Sequence, residues 1–389
     1  MKDSKDNVEF RCSVLSIELE PTHYKTDLWN VVAASGVAEI FAIYTQAKNW
    51  SPDGGHNYLR FPKADYEFSV LTGRGKLDNL RAGLFVMKSI ITRKTDAVLV
   101  CGYSQIPTIC ALLVSFIWHR RFLLFVDEFN NDRPPGRFCV LKLIVRETLR
   151  KFCFKYATAV LVCGQKGVES AARAGCEAGK IHDFPYVIDV ARIQTDAPKD
   201  IPEQCLADIG SRIPVIFFSG RMIARKGLSS LLAALATPDV SEEWVLWIEG
   251  AGPELDKYIK LAREYGLDVR CRFLGFCQYD LHSWLIRSAD IVIVPSLEDN
   301  WGIVVDEGLQ LGKIVISSDA TGSGRDRIVH GTNGYIFPAG NSQALADILV
   351  PLLGGILAGD EVGEAARNGP SNIRPADNLS TLLRIIQGS

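Results

Sequence analysis

Eleven short apolar segments recur along this 389-residue chain, each separated from the next by a longer stretch. The first series lies at residues 12–17, 40–44, 97–101, 122–126 and 159–163. The second lies at 215–218, 244–248, 272–274, 291–294, 314–317 and 334–337. The segments are runs of apolar residues without polar alternation, the pattern of strands buried on both faces of a parallel sheet. Strands that alternate with helices build βαβ units and an open, doubly wound sheet. Between residues 189 and 211 the series stops, and Asp196, Pro198, Asp200, Pro202 and Asp208 make a linker-like mix. The expectation is an α/β chain with two Rossmann-like domains, at 1–195 and 196–375. A C-terminal helix at 376–389 is expected to return to the first domain. The strand carboxyl ends of the two domains are expected to face a shared cleft, where ligands bind.

Composition allows this. The chain is 47% hydrophobic and 23% charged, enough apolar material for a sizeable core. A net charge of −2 argues against a dedicated nucleic-acid binder, which carries a basic surplus. Residues 1–195 hold 26 Lys/Arg against 20 Asp/Glu, whereas 196–389 hold 17 against 25. A basic N-terminal half suits anionic partners such as phosphates or lipid head groups. The ten cysteines include no Cys-x-x-Cys pair and none at zinc-ligand spacing from a histidine. They read as reduced structural thiols, and the expected location is the cytosol. The start Met1-Lys2-Asp3-Ser4 is polar with no apolar run behind it, so no signal peptide is expected. His119-Arg120-Arg121 interrupt the apolar stretch 106–126, which reads as a buried helix followed by a strand. Residues 137–155 form a basic amphipathic helix, suited either to anionic lipid or to packing with a charged outer face.

Two motifs carry chemistry. Gly220-Arg221-Met222-Ile223-Ala224-Arg225-Lys226-Gly227 follows one strand and precedes a helix with apolar spacing at Leu228, Leu231, Leu232 and Leu235. Gly220 lets the backbone approach a ligand; Arg221 can fork onto a phosphate, and Lys226 adds a point charge. The second runs from Pro295 to Gly308, with Asp299 and Glu307 separated by seven residues and Trp301-Gly302-Ile303 between them. A helix starting near Gly302 presents free N–H groups, which suit an anion such as a diphosphate. Glu307 can accept hydrogen bonds from ribose hydroxyls, and Asp299 from a sugar. The plain alternatives are a solvated basic turn and an acidic helix start. Gly275-Phe276 closes another strand where a flat base could rest. Residues 317–326 offer a glycine- and hydroxyl-rich turn. Gly250-Ala251-Gly252-Pro253 is a poor dinucleotide fingerprint, because Leu255 replaces the third glycine and Pro253 lacks an N–H.

Taken together, these segments resemble the C-terminal half of the family 4 glycosyltransferases of the GT-B fold. The pattern of Gly, Arg, four residues and Lys-Gly is met by Gly220, Arg221, Lys226 and Gly227. The Glu-x7-Glu pattern is met as Asp299 and Glu307, with Asp in the first place. Residues 248–254, Phe273-Leu274-Gly275 and Gly331-Thr332-Asn333-Gly334 also look like that family. The resemblance covers about 212–350. It implies a retaining, metal-independent transferase that uses a nucleotide-diphosphate sugar such as a UDP- or GDP-sugar. Arg221 and Lys226 would hold the diphosphate and Glu307 the ribose. It also implies a saccharide or lipid-linked saccharide acceptor, as in bacterial surface polysaccharide synthesis, and hence a peripheral contact with an anionic membrane.

The N-terminal half matches less closely. Glu18-Leu19-Glu20-Pro21-Thr22-His23-Tyr24 stands where many members have a Gly-Gly loop. His23 and Tyr24 are acceptor-side candidates. The strand at 122–126 leads into Asp127-Glu128-Phe129-Asn130-Asn131-Asp132, near where the family often has a histidine. Asp127 or Glu128 could steady positive charge on the sugar carbon or take the acceptor proton. Two other readings keep the nucleotide site: a sugar-nucleotide epimerase, and a non-catalytic scaffold partner of a synthase.

Overall fold

A computed structural model describes residues 12–45, 50–51, 59–60, 63–71, 76–103, 105–129, 139–186, 188–195, 198–211, 213–240, 243–354 and 375–387. Its contacts divide the chain into two units, Met1–Val187 with Ile373–Ser389, and Ile188–Asn372.

The first unit holds β1 (Cys12–Glu18), β2 (Ala38–Tyr44), the short parallel pair β3 (Trp50–Ser51) and β4 (Leu59–Arg60), and β5 (Glu67–Val70). They are followed by β6 (Ala97–Cys101), β7 (Arg121–Val126), β8 (Ala159–Val162) and β9 (Ile181–Asp183). Seven of these pair in parallel in the order β5-β2-β1-β6-β7-β8-β9. The connecting helices are α1 (His23–Ala34), α2 (Lys76–Arg93), α3 (Ile106–Ile117), α4 (Cys139–Tyr156) and α5 (Gly164–Arg173). One sheet face packs on Leu28, Trp29 and Val32 of α1. The other packs on Val86 and Ile90 of α2, Leu112 of α3 and Cys153 of α4. Both faces are therefore dry, which is why the strand segments show no alternation.

The second unit begins with α6 (Val190–Thr195) and α7 (Glu203–Gly210). Then come β10 (Val215–Ser219), α8 (Leu228–Leu235), β11 (Val245–Glu249), α9 (Leu255–Glu264), β12 (Cys271–Gly275) and α10 (Tyr279–Ser288). They are followed by β13 (Ile291–Val294), α11 (Ile303–Gln310), β14 (Ile314–Ser318), α12 (Gly322–Arg327), β15 (Tyr335–Phe337) and α13 (Ser342–Gly354). Its six parallel strands run β12-β11-β10-β13-β14-β15. The α/β fold class read from the sequence is that of both units.

Three expectations change. The unit boundary falls at 187/188, ahead of 195/196. The linker-like stretch is in fact helical over α6 and α7. Ile193 and Cys205 enter the core, and buried Asp208 accepts from the Trp247 indole at 2.9 Å and from Arg272 through both carboxylate oxygens. Finally, α3 is buried on one side only, since Leu113, Phe116 and Ile117 face solvent. The final helix, α14 (Pro375–Gln387), joins the first unit, where Leu382 and Ile386 pack among residues of α1 and the sheet. Asn378 there donates to the Pro185 carbonyl at 2.7 Å.

Candidate functional site

In the second unit, the loops after β10, β13 and β14 meet at the strand carboxyl ends. Backbone proximity forces small residues there. A Cβ on Gly227, whose φ is +71°, would lie 1.8 Å from the Pro295 carbonyl oxygen, and one on Gly322 would lie 2.1 Å from that of Asn300. The loops are stitched by Leu297 N–H to the Arg225 carbonyl at 2.8 Å and by Gly322 N–H to the Asp299 carbonyl at 3.2 Å.

On this frame Lys226 Nζ lies 2.6 Å from Asp299 Oδ2, Ser296 Oγ donates to the same oxygen at 3.3 Å, and Arg225 stands 4.0 Å from Oδ1. Asp299 is thus turned inward to the lysine. Arg221 is exposed, and its guanidinium makes no hydrogen bond or ion pair among the described residues. Gly220 donates its N–H to the Glu249 carbonyl at 3.0 Å, which ties the start of this loop to β11. Gly302, with φ +85°, is the N-cap of α11, leaving Ile303 as its first helical residue with an open N–H end. Gly275 carries φ +68° at the end of β12, and the ring of Phe276 beyond it is 41% exposed.

Trp301 is only 3% exposed, so it offers no face to a ligand. Its indole N–H donates to Asp306 at 2.6 Å, and Arg327 Nε donates to the same carboxylate at 3.0 Å. Burial lifts the Asp306 carboxyl to about 6 although Arg327 and Trp301 oppose the rise. The indole side chain clamps the start of α11 from behind.

Glu307 is 2% exposed, and both its oxygens are engaged. Tyr279 Oη donates to Oε1 at 2.7 Å, and His282 Nε2 lies 3.0 Å from Oε2. The other ring nitrogen of His282, Nδ1, lies 2.6 Å from Glu249 Oε2. An imidazole with a carboxylate on each nitrogen carries hydrogen on both, so His282 is an imidazolium between two buried anions. Burial disfavours its charge, but Glu249 and Glu307 outweigh this and raise its pKa well above 6.5. Burial would likewise raise Glu307, yet His282 and Tyr279 carry it below its ordinary value. Sequence reasoning missed Glu249, Tyr279 and His282. The available signals were a carboxylate ending an apolar strand and a histidine on the apolar side of a helix.

In the first unit an open cavity of about 400 Å³ lies at the carboxyl ends of β1, β6 and β7. The order β2-β1-β6-β7 places it at the topological switch point, where crevices form in open sheets. Tyr24, Lys25, Asp127 and Tyr186 line it. The Tyr24 and Tyr186 rings are 4.1 Å apart, and Tyr186 Oη donates to Asp127 Oδ1. Lys25 lies 4.0 Å from Glu18 and 4.6 Å from the Phe125 ring centre. The structure separates the two carboxylates, since Glu128 pairs with Lys166 at 3.3 Å and does not line the cavity. His23 and Tyr24 form the first turn of α1, not a loop. Asn130, Asn131 and Asp132 lie outside the described residues, as do Arg137 and Phe138.

Residues 208–367 match the family Glycosyl transferases group 1, which bears out the resemblance of the second unit to glycosyltransferases at the level of that group. Curated relatives include the lipopolysaccharide core biosynthesis glycosyltransferase LpsE of Rhizobium meliloti, 31% identical over 41% of this chain and 42% of that protein. The phosphatidyl-myo-inositol mannosyltransferase of Mycobacterium leprae is 37% identical over 36% of this chain and 37% of its own. The matched part thus spans less than half of either relative. Among solved structures, Anabaena HepE in complex with UDP and glucose covers 97% of this chain and 100% of its own, with a TM-score of 0.74 at 18% identity. A glycosyltransferase from Rickettsia africae covers 97% and 98% with a TM-score of 0.73 at 17% identity. Likeness at this identity establishes the fold, which is the GT-B class.

Proposed function

We propose that this protein moves a sugar from a UDP- or GDP-sugar to a saccharide or lipid-linked saccharide, with retention and without a metal. The observation that carries the reading is the convergence of Lys226 and the open start of α11 beside three strand-end loops of the second unit, with exposed Arg221 on the first of those loops. A departing diphosphate develops negative charge there, and fixed cations and backbone N–H groups stabilise it without reorganising. Arg221 supplies an exposed guanidinium with no competing partner among the described residues. Lys226 is held by Asp299 within reach of the same loop, so Asp299 acts by positioning the lysine. Glu307, buried and engaged by Tyr279 and His282 through both oxygens, reaches a ribose only by exchanging one of these partners for a ribose hydroxyl, and Phe276 beside Gly275 packs on the base.

The cavity of the first unit is assigned to the acceptor. Tyr24 and Tyr186 give an aromatic wall for a sugar ring, and Asp127 accepts from a hydroxyl. A role at the inner face of the plasma membrane in surface polysaccharide synthesis accords with the names of relatives such as LpsE. Thermal-shift screening against UDP, GDP and ADP tests the donor site. A ligand at 100 times its Kd adds about 2.7 kcal/mol to stability, so the correct base stands out. Failure of every nucleoside diphosphate to shift unfolding overturns the assignment.

A further inference from the structure

The outer surface of α2, α3 and α4 has a composition that neither the donor site nor the cavity uses. The three helices cover one face of the first unit's sheet through Val86, Leu112 and Cys153. They form one continuous layer. A Cβ on Gly83 of α2 would meet Cys110 Sγ of α3 at 2.8 Å, and Phe116 of α3 makes edge contacts with Phe152 and Tyr156 of α4.

The side turned away from the sheet is apolar along all three. Leu77 and Leu84 of α2 are 71% and 58% exposed, one heptad apart. Leu113 and Ile117 of α3 repeat at helical spacing, with Ile117 60% exposed. Val140 and Ile144 of α4 are 66% and 57% exposed. A soluble surface seldom gathers so many large apolar side chains in one layer.

Charge identifies the occupant. Residues 76–94, 106–121 and 139–156 hold twelve Lys/Arg against two Asp/Glu. Both acids are already matched, Asp78 by Arg81 at 3.7 Å and Glu147 by Arg150. Lys88, Lys94, Lys151 and Lys155 are exposed. The segment α3 has no charged residue, and it ends in half-exposed Trp118 followed by His119-Arg120-Arg121, an aromatic and cationic edge of the kind found at lipid interfaces. No helix among the described residues is long and apolar enough to cross a membrane, so any contact of these helices is made from the side. We propose that the α2–α3–α4 layer of the first unit docks on an anionic lipid bilayer, apolar side chains entering the interface and lysines meeting the head groups. The inference names the surface behind the membrane contact proposed above, and it does not depend on the transfer reaction.

The test is co-sedimentation of the full chain with vesicles. Vesicles of mixed phosphatidylglycerol and phosphatidylcholine should retain it about tenfold more than pure phosphatidylcholine, with retention falling as salt rises. The double variant Ile117→Glu/Ile144→Glu should weaken retention by more than about tenfold, and so should Lys88→Glu/Lys151→Glu, at two exposed positions. Nucleotide-induced thermal shifts of both variants should match wild type, which separates this proposal from the donor-site reading. Equal retention on the two vesicle types, or unchanged retention by the lysine variant, overturns it. A concentration-dependent dimer that Ile117→Glu dissolves, with no vesicle binding, assigns the face to a second copy and overturns it as well.

Discussion

Lys226 and Asp299 are 73 positions apart in the chain, and their side chains meet at 2.6 Å. The pair joins the phosphate-type loop after β10 to the acidic loop after β13. It gives the carboxylate a use that its position in the sequence does not reveal.

Lys226→Ala would take from Asp299, which is 8% exposed, its 2.6 Å ammonium partner and leave the more distant Arg225 at 4.0 Å. Stability should drop by about 1–3 kcal/mol. Turnover should fall about 100-fold. Arg221→Ala strands no partner among the described residues, so it should cost a similar factor in kcat while shifting stability by less than about 0.5 kcal/mol. Urea denaturation beside steady-state kinetics separates the two. Near-normal kcat in both variants would remove the diphosphate assignment.

The imidazolium of His282 makes stability depend on pH. Its pKa is raised well above 6.5 in the folded chain, because Glu249 and Glu307 outweigh burial. Its stabilisation is complete below the unfolded value and fades as pH rises through the folded one. Unfolding free energy should therefore decline from neutral towards alkaline pH. Glu307, with a lowered value, adds stability above its ordinary range that is lost in acid. His282→Gln should flatten the alkaline limb and weaken nucleoside diphosphate binding. Parallel curves for the variant and wild type would contradict a charged ring.

Backbone proximity sets a third expectation. Gly250, at φ +132°, would place a Cβ 1.9 Å from the Gly220 carbonyl oxygen, and Gly227 is tighter still against Pro295. Either alanine variant should lose about 2 kcal/mol or more, since backbone must move. Gly331, at φ +74° with open space around it, should lose only about 1 kcal/mol. Equal losses at the three sites would show that dihedral strain alone matters.

Reaction outcome distinguishes the rival chemistries. EDTA should leave turnover unchanged, and the product should retain the donor's anomeric configuration by NMR. Donor conversion without acceptor would indicate an epimerase. Tight nucleotide binding with no turnover on any acceptor would indicate a scaffold.

Local pattern was sufficient for the strand series, because burial on both faces of a parallel sheet leaves uninterrupted apolar runs at 97–101, 215–218 and 291–294. The glycine and cation spacing from Gly220 to Gly227 was legible for the same reason, since a turn between strand and helix is written in adjacent residues. Partnerships were not. The Asp299 carboxylate reads as a sugar ligand until the fold brings Lys226 to it, and Trp301 as part of the donor-site motif until Asp306 and Arg327 enclose it. Proline and aspartate made 189–211 look like a linker, whereas Trp247 and Arg272 draw Asp208 into a core. The Glu249–His282–Glu307 chain spans three elements, and only sheet order and helix rotation bring it together. Periodicity records which side of an element is dry; which distant group meets a buried charge depends on register and rotamer, and those exist only once the chain has folded.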